Sequence, residues 1–326
     1  MAKRLTSPNE EFRAMQEYRG AYTDLRDLVR LRYAAREMAD LTGNKTSNPL
    51  AGLLSSNFRG RGIDFAEVRV YQPGDDVRTI DWRVTARTQV AHTKVFQEEK
   101  ERPVLILVDQ SASMYFGSQV TFKSVLAART AAIIAWSALE RGDRVGGLVF
   151  SEKGHREIRP RRNKHAVLRL LNELHDFNHA LKKESATESA AYNDNYFTEA
   201  ISNVRRVTKH GSVIFIISDF TNFSEESRIH LQPLARHSDV IGIHISDSLE
   251  QHLPTPDLYS ITNGAERTRI NTASGKTRDA YERGFQQQIA AIQEEFMRVK
   301  APLLMLQTHQ PILAGLNRQA SFAAKV

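Results

Sequence analysis

The chain has 326 residues, a length that predicts one large domain with a smaller appended one. Its composition, 41% hydrophobic and 25% charged, is that of a soluble globular protein. It contains no cysteine, which excludes disulfides, thiolate metal sites and cysteine nucleophiles. The formal net charge of +7 favours acidic partners, but the basic residues are interleaved with acids and form no stripe with aromatic residues, so no nucleic-acid-binding motif is indicated.

Neither a membrane helix nor a secretion signal is predicted. No apolar run approaches the roughly 20 residues that a membrane helix needs. The charged start of the chain, MAKRLTSPNEEF, has no secretory apolar core. We therefore expect a soluble protein of the cytoplasm.

The chain up to residue 101 is predicted to form a helix, a linker and a small β-rich subdomain. Apolar residues recur at helical spacing from Thr23 to Leu41, and residues 44–57 have the composition of a linker, so residues 1–57 form a first segment. In residues 58–101 apolar and polar side chains alternate, and Pro73-Gly74 has the chemistry of a type II turn. The strands predicted in this subdomain are 63–71, 80–85 and 91–96.

The β-rich subdomain also contains a concentration of charged residues. They are interpreted either as a second functional site or as turn residues and surface ion pairs that contribute little to stability, and the second interpretation is favoured. The cluster consists of Asp64, Asp75, Asp76, Arg78, Asp81, Arg83 and Arg87.

From residue 102 to residue 326 predicted strands alternate with predicted helices. Val104–Val108 is apolar throughout, and Ser212–Ile217 is apolar after its first residue, as is typical of strands buried on both faces of a sheet. A helix over Phe122–Leu139 is apolar nearly all round, which indicates burial against that sheet. The other predicted elements are strands 144–150, 155–160, 240–245 and 303–307, a hairpin at 258–261 and 268–271, helices 164–177, 197–209, 225–236 and 278–299, and a mobile loop at 178–195. This alternation predicts an α/β fold with a doubly wound, mostly parallel sheet.

Both of these predicted buried strands are followed by an aspartate. Asp109 begins the pattern Asp-x-Ser-x-Ser with Ser111 and Ser113, and Asp219 follows the later strand. The carboxyl edge of an open α/β sheet is where such folds bind ligands, and carboxylate and hydroxyl oxygens suit Mg²⁺, Mn²⁺ or Ca²⁺ rather than zinc. Each residue by itself could cap a helix or a turn. Their order on the predicted elements favours a metal site.

These residues resemble the metal-ion-dependent adhesion site (MIDAS) of the von Willebrand factor A fold, whose pattern is Asp-x-Ser-x-Ser, a distant threonine and a more distant aspartate. The segment DQSASM at 109–114 matches the first part, and Asp219 matches the last. The resemblance implies that Thr198 is the threonine ligand, with Asp194 as the alternative because the glycines that often precede the threonine are absent. It also implies a von Willebrand factor A-like sheet of Rossmann-type topology.

The segment GRGIDFAEVRVYQPGDDVRTIDWRVTART at 60–88 is similar to the signature that precedes such a domain in the bacterial family called domain of unknown function fifty-eight. Members are typically encoded beside MoxR-type AAA+ ATPases, and many carry transmembrane helices near the start, so this chain resembles a soluble branch. The family resemblance implies a partnership with a MoxR-type AAA+ ATPase or with its client protein.

A non-enzymatic, metal-dependent adaptor is the expected function. A divalent ion held by two carboxylates and three neutral hydroxyls keeps an open position that a Glu or Asp of a partner can fill. Two alternatives stay open: metal-assisted phosphoester hydrolysis by Asp109 and Asp219, and nucleic-acid binding, which rests on charge alone. No nucleophile elbow or phosphate-binding loop occurs in the sequence, so serine-hydrolase or ATPase chemistry is not expected.

Overall fold

The computed structural model describes residues 20–40, 63–98, 102–180, 195–262 and 267–316. The expected linker at 44–57, residues 181–194 of the expected mobile loop, and Asp194 lie outside these ranges. The chain divides into two compact units. A large unit consists of residues 1–56 and 102–326, and a small unit consists of residues 57–101.

The helices and strands follow one another in an order close to the predicted one. They are α1 (Leu25–Asp40), β1 (Ile63–Val70), α2 (Trp82–Thr88), β2 (His92–Glu98), β3 (Pro103–Asp109), α3 (Lys123–Glu140), β4 (Arg144–Ser151), β5 (Gly154–Arg161), α4 (Lys164–Ala180), α5 (Tyr196–Val207), β6 (Val213–Ser218), α6 (Glu225–His237), β7 (Asp239–Ser246), α7 (Ser248–Gln251), β8 (Leu258–Thr262), β9 (Arg267–Asn271), α8 (Gly275–Arg298) and β10 (Leu303–Gln307). No helix within the described ranges is both long enough and apolar enough to cross a membrane.

The large unit is built on a six-stranded sheet with the strand order β10-β7-β6-β3-β4-β5. Its neighbouring strands are parallel, except that β5 returns antiparallel to β4 as the far arm of a hairpin. The chain leaves β3 towards β4 on one side and later fills β6 and β7 on the other, so the strand order reverses between β3 and β6. The predicted α/β fold with a doubly wound, mostly parallel sheet is confirmed, and ligands of such sheets bind at this reversal.

The central strands carry apolar side chains on both faces of the sheet because helices cover both faces. Val104, Ile106 and Val108 of β3 pack in one core cluster together with residues of α1, α3 and α4. Leu105 and Leu107 point to the opposite face, where residues of α5, α6 and α8 pack. The alternation follows from the two-residue period of a strand, and it explains why β3 and β6 have no polar side.

Helix α1 belongs to the large unit, although the sequence-based division set residues 1–57 apart. Leu28 and Leu31 are buried in the same core cluster as α3, and each such side chain contributes about 1.5–3 kcal/mol by burial. The indole Nε1 of Trp136 donates to the backbone carbonyl of Leu28 at 3.2 Å. Because α1 covers the side of α3 that faces away from the sheet, α3 is apolar nearly all round.

The small unit contains the antiparallel pair β1–β2, and one prediction for this unit was wrong. No strand forms at the predicted position 80–85: a 3-10 turn at Val77–Thr79 precedes it, Ile80 forms an isolated bridge with Thr93, and α2 begins at Trp82. The Asp81 carboxylate accepts the backbone N–H groups of Arg83 and Val84 at 3.0 and 3.2 Å and so caps the first turn of α2. A local N-cap of this kind favours the helix despite its β-branched residues.

Candidate metal centre

The first and last residues of the predicted site leave the sheet side by side. Strands β3 and β6 are parallel neighbours, and Val108 pairs with Ile217 in their register. Asp109 therefore ends β3 next to the point where Ser218 ends β6 and the chain continues into Asp219. The strand order reverses between these strands, so both carboxylates lie at the crevice where a doubly wound sheet opens.

Asp109 is almost completely buried. Its Oδ1 accepts the backbone N–H of Ser111 at 2.9 Å, and its Oδ2 accepts the hydroxyl of Ser218 at 2.6 Å. Burial, followed by the negative charge of Asp219, raises the pKa of Asp109 to about 7. Burial away from solvent and the nearby Asp219 carboxylate both disfavour ionisation of Asp109, and the charge of a bound divalent cation would compensate both effects.

The serine hydroxyls join the two carboxylates. Ser111 Oγ and Ser113 Oγ are 3.2 Å apart, and the Ser113 hydroxyl lies close enough to Asp219 to help lower the pKa of that carboxyl group. The loop that carries them is held at Ala112, whose backbone N–H donates to Glu152 Oε1 at 2.7 Å. Four residues of the predicted set thus form one connected cluster.

A residue that the sequence reasoning missed lies in this cluster. The Nζ atom of Lys123, the first residue of α3, is 2.8 Å from Asp219 Oδ2 and also contacts Glu250 Oε1. Burial by itself would raise the pKa of Asp219, but the Lys123 ammonium and hydrogen bonds from Thr221 and Ser113 leave that pKa below its usual value. The available signal was a lysine at the start of an otherwise apolar helix, because lysine is almost never buried without a partner.

Thr198, the threonine of the predicted set, is buried near the start of α5. Its hydroxyl hydrogen-bonds Ser227 Oγ at 2.7 Å and Ser224 Oγ at 3.2 Å, and these two serines form the capping box of α6. Among the hydrogen bonds of the described residues, none joins Thr198 to the other four predicted ligands. The structure thus places its hydroxyl in a helix-capping cluster.

Tyr196, two residues before Thr198, reaches the site instead. Its phenol oxygen accepts the side-chain N–H of Asn222 at 2.5 Å and lies close enough to Ser111 for that serine to affect the pKa of the phenol. Burial, followed by the charge of Asp109, raises the pKa of Tyr196 above its usual value, so the phenol stays neutral. Its position gives the site a further oxygen atom that sequence reasoning did not identify.

The donor set fits a hard divalent cation. The described residues contain no group of three or more His, Cys, Asp or Glu side chains arranged to hold a metal. A metal at this crevice would therefore depend on the hydroxyls of Ser111 and Ser113 and on water in addition to Asp109 and Asp219. Oxygen donors of this kind suit Mg²⁺ and Mn²⁺. A cleft of about 440 Å³, lined in part by Asp219, Glu250 and Tyr281, opens beside the cluster.

Three aspartates of the charged cluster in the small unit have structural contacts. Asp75 forms an ion pair with Arg69 at 2.7 Å, and a hydrogen bond from the Gln72 backbone is the main cause of its lowered pKa. Asp76 caps the 3-10 turn by accepting the N–H of Arg78 at 2.9 Å. Asp81 caps α2 and contacts Lys94 at 3.6 Å. Arg83 and Arg87 are exposed on α2, and the side chain of Asp64 lies outside the described part of the chain.

Comparison with known proteins gives one family. A family model described as "Protein of unknown function DUF58" matches residues 67–291, well over half of the chain. Uncharacterized proteins of Mycobacterium bovis and Mycobacterium tuberculosis are each 28% identical over 263 residues, which cover 79% of this chain and 79% of theirs.

Solved structures with a detectable likeness are remote. A conserved hypothetical protein, BatB, from Bacteroides thetaiotaomicron has a TM-score of 0.39 and 16% identity, covering 69% of this chain and 100% of that chain. An aerotolerance-related membrane protein from Bacteroides fragilis has a TM-score of 0.38 and 14% identity, covering 69% and 100%. The SpRpn10 VWA domain has a TM-score of 0.37 and 12% identity, covering 67% and 95%.

Proposed function

The chain belongs to the DUF58 family of proteins of unknown function, and from that premise we propose that its large unit is a metal-dependent protein-interaction module. In this proposal Mg²⁺ or Mn²⁺ lies at the crevice between β3 and β6. Asp109, Asp219, Ser111 and Ser113 hold it, and the predicted ligand Thr198 approaches only if its hydroxyl leaves Ser227. The bound cation would supply an electrophilic position for an acidic side chain.

One observation carries the proposal. Two buried carboxylates that follow adjacent strands flank two serine hydroxyls. Asp219 is paired with the Lys123 ammonium, whereas Asp109 accepts its hydrogen bonds from Ser111 and Ser218, which are neutral. Buried carboxylates are costly unless a cation compensates them. A divalent ion whose ligands are partly neutral hydroxyls keeps a vacancy that a Glu or Asp of another protein can fill.

The proposed partner is a MoxR-type AAA+ ATPase or its client protein, met in the cytoplasm. Support for this partner comes from the family resemblance. The formal net charge of +7 also favours an acidic surface on the partner. The protein would act as an adaptor without catalysing a reaction.

Metal binding tests the proposal directly. Titration of the metal-free protein with Mn²⁺, followed by electron paramagnetic resonance of the free ion, should show binding that Asp109→Ala abolishes. Asp176→Ala, which removes an exposed aspartate from α4, is the matched control and should bind as the wild type does. Equal Mn²⁺ binding by the wild type and Asp109→Ala would falsify the metal site.

Partner capture and turnover distinguish the adaptor from a phosphoesterase. We expect an acidic protein partner to be retained by the wild type and lost with EDTA or in Asp109→Ala. Hydrolysis of p-nitrophenyl phosphate or bis(p-nitrophenyl) phosphate in Mn²⁺ should not exceed the Asp109→Ala background. Metal-dependent turnover that disappears in Asp109→Ala would replace the adaptor with the enzyme.

A further inference from the structure

The buried ammonium of Lys123 contacts a predicted metal ligand. The Lys123 side chain is 2% exposed, and its Nζ lies 2.8 Å from Asp219 Oδ2. The same ammonium contacts Glu250 Oε1, on a side chain that is 29% exposed. Lysine at the start of a helix usually reaches solvent, so this arrangement requires both carboxylates to compensate its charge.

The two predicted carboxylate ligands therefore have different surroundings. Asp219 has a resident cation at Oδ2, and its Oδ1 accepts the backbone N–H of Thr221 at 3.0 Å. Asp109 accepts hydrogen bonds from the neutral groups of Ser111 and Ser218. A divalent ion would meet one uncompensated carboxylate and one already paired with an ammonium.

Glu250 is positioned to retain the ammonium. Its Oε2 accepts the backbone N–H of Asp247 at 2.8 Å as part of the capping box of α7, which fixes the carboxylate beside Lys123. Lys123 would therefore keep a buried partner if Asp219 turned towards a metal ion. Without Glu250, release of Asp219 would leave an unpaired buried charge, which is strongly unfavourable.

We propose that Lys123 is a built-in counter-ion that competes with the divalent cation for Asp219, and that Glu250 receives its ammonium when the cation binds. This inference rests on the proposed metal site and adds a residue that sets its affinity. The positive charge of Lys123 weakens metal binding, both by pairing with Asp219 and by repelling a second cation. Metal loading is thereby coupled to the Lys123–Glu250 ion pair and to the α7 segment.

Removal of the lysine charge is the first test. Lys123→Gln keeps a hydrogen-bond donor for Asp219 and should bind Mn²⁺ about tenfold more tightly, a typical size for coupled sites. Lys164→Gln is the matched control, because Lys164 is the exposed first residue of another helix, α4, and it should leave the affinity unchanged. Unchanged or weaker Mn²⁺ binding by folded Lys123→Gln would overturn the role of Lys123.

Removal of the receiving carboxylate is the second test. Glu250→Gln should weaken Mn²⁺ binding several-fold, since Lys123 then has Asp219 as its remaining charged partner, and the loss should shrink in the Lys123→Gln background. Such non-additivity is the mark of direct coupling between the two residues. An equal loss in both backgrounds would show that Glu250 acts through its own charge and would overturn the transfer of the ammonium.

The double variant Lys123→Gln/Glu250→Gln provides the test if Lys123→Gln alone does not fold, because it also removes one of the two carboxylates that the loss of Lys123 leaves unpaired. It should bind Mn²⁺ more tightly than Glu250→Gln, and a failure to do so overturns the inference. Absence of Mn²⁺ binding in the wild type and in all variants removes the metal site itself. If the wild type binds Mn²⁺ but loss of Lys123 does not increase the affinity, the metal site stands and only the competition between Lys123 and the cation is overturned.

Discussion

Aspartates in the two units of this protein form similar hydrogen bonds but have different electrostatic surroundings. In the small unit, Asp81 accepts the N–H groups of Arg83 and Val84, and the bond from Val84 is the main cause of its lowered pKa. In the large unit, Asp109 accepts the N–H of Ser111 in a comparable turn, yet its pKa is raised to about 7. Local hydrogen bonding therefore does not separate a capping aspartate from one in the candidate metal centre. Burial beside a second carboxylate does, because desolvation penalises the charged form.

The largest expected effect is on the pH dependence of stability. The pKa of Asp109 in the folded state, about 7, lies above its usual value. The contribution of Asp109 to the free energy of unfolding is therefore fully present at acid pH and is lost as the pH rises through 7. Linkage gives about 4 kcal/mol between pH 4 and pH 8 for such a shift. In urea unfolding without metal, Asp109→Asn should be more stable than the wild type at pH 8, and this gain should vanish near pH 4. Asp176→Asn should follow the wild type at both pH values.

A smaller effect, a loss of folding stability, is expected from substitution of Asp219. Asp219→Asn leaves the Lys123 ammonium with Glu250 as its remaining carboxylate, and breaking a buried pair costs about 3 kcal/mol or more. Urea unfolding at pH 7 without metal measures this loss. Asp75→Asn, in a partly exposed ion pair of the small unit, is the control and should change the midpoint far less. Equal losses at both aspartates would contradict the distinction between the two units.

Metal binding should stabilise the protein through Asp109 in the large unit and should not depend on the charged cluster of the small unit. At a Mn²⁺ concentration of about 100 times the dissociation constant, binding adds about 2.7 kcal/mol to the free energy of unfolding. Thermal unfolding with Mn²⁺ or EDTA should show this increase in the wild type and in Asp81→Ala, but not in Asp109→Ala. If Asp81→Ala also removes the increase, the charged cluster of the small unit takes part in metal binding.

The smallest effect is expected from loss of the α2 cap. Asp81→Ala should accelerate amide hydrogen exchange within Trp82–Thr88, because two N–H groups of its first turn lose their acceptor. The exchange of residues in β3 and β6 should stay unchanged. Slowed or unaltered exchange in α2 would show that the capping hydrogen bonds contribute nothing to this helix.

Much of the architecture could be predicted from the sequence. The apolar strands β3 and β6 were identified because both of their faces are buried, and the aspartates that follow them lie at one edge as expected. The predicted strand at 80–85 was wrong because a single capping aspartate, Asp81, outweighed the β-branched residues around it. Periodicity is therefore a weaker guide in short segments, where one side-chain hydrogen bond decides the conformation.

The sequence by itself determined that Asp109, Ser111 and Ser113 follow a buried strand, because hydrophobic periodicity reports which faces of each element are covered. Only the tertiary structure decided which charges meet them. Lys123 pairs with Asp219 and Glu250 across separations of 96 and 127 residues, and Tyr196 rather than Thr198 reaches Ser111. These contacts depend on how the strand order reverses and on how the helix starts are packed over that reversal. Neither is encoded in the local pattern of any one segment.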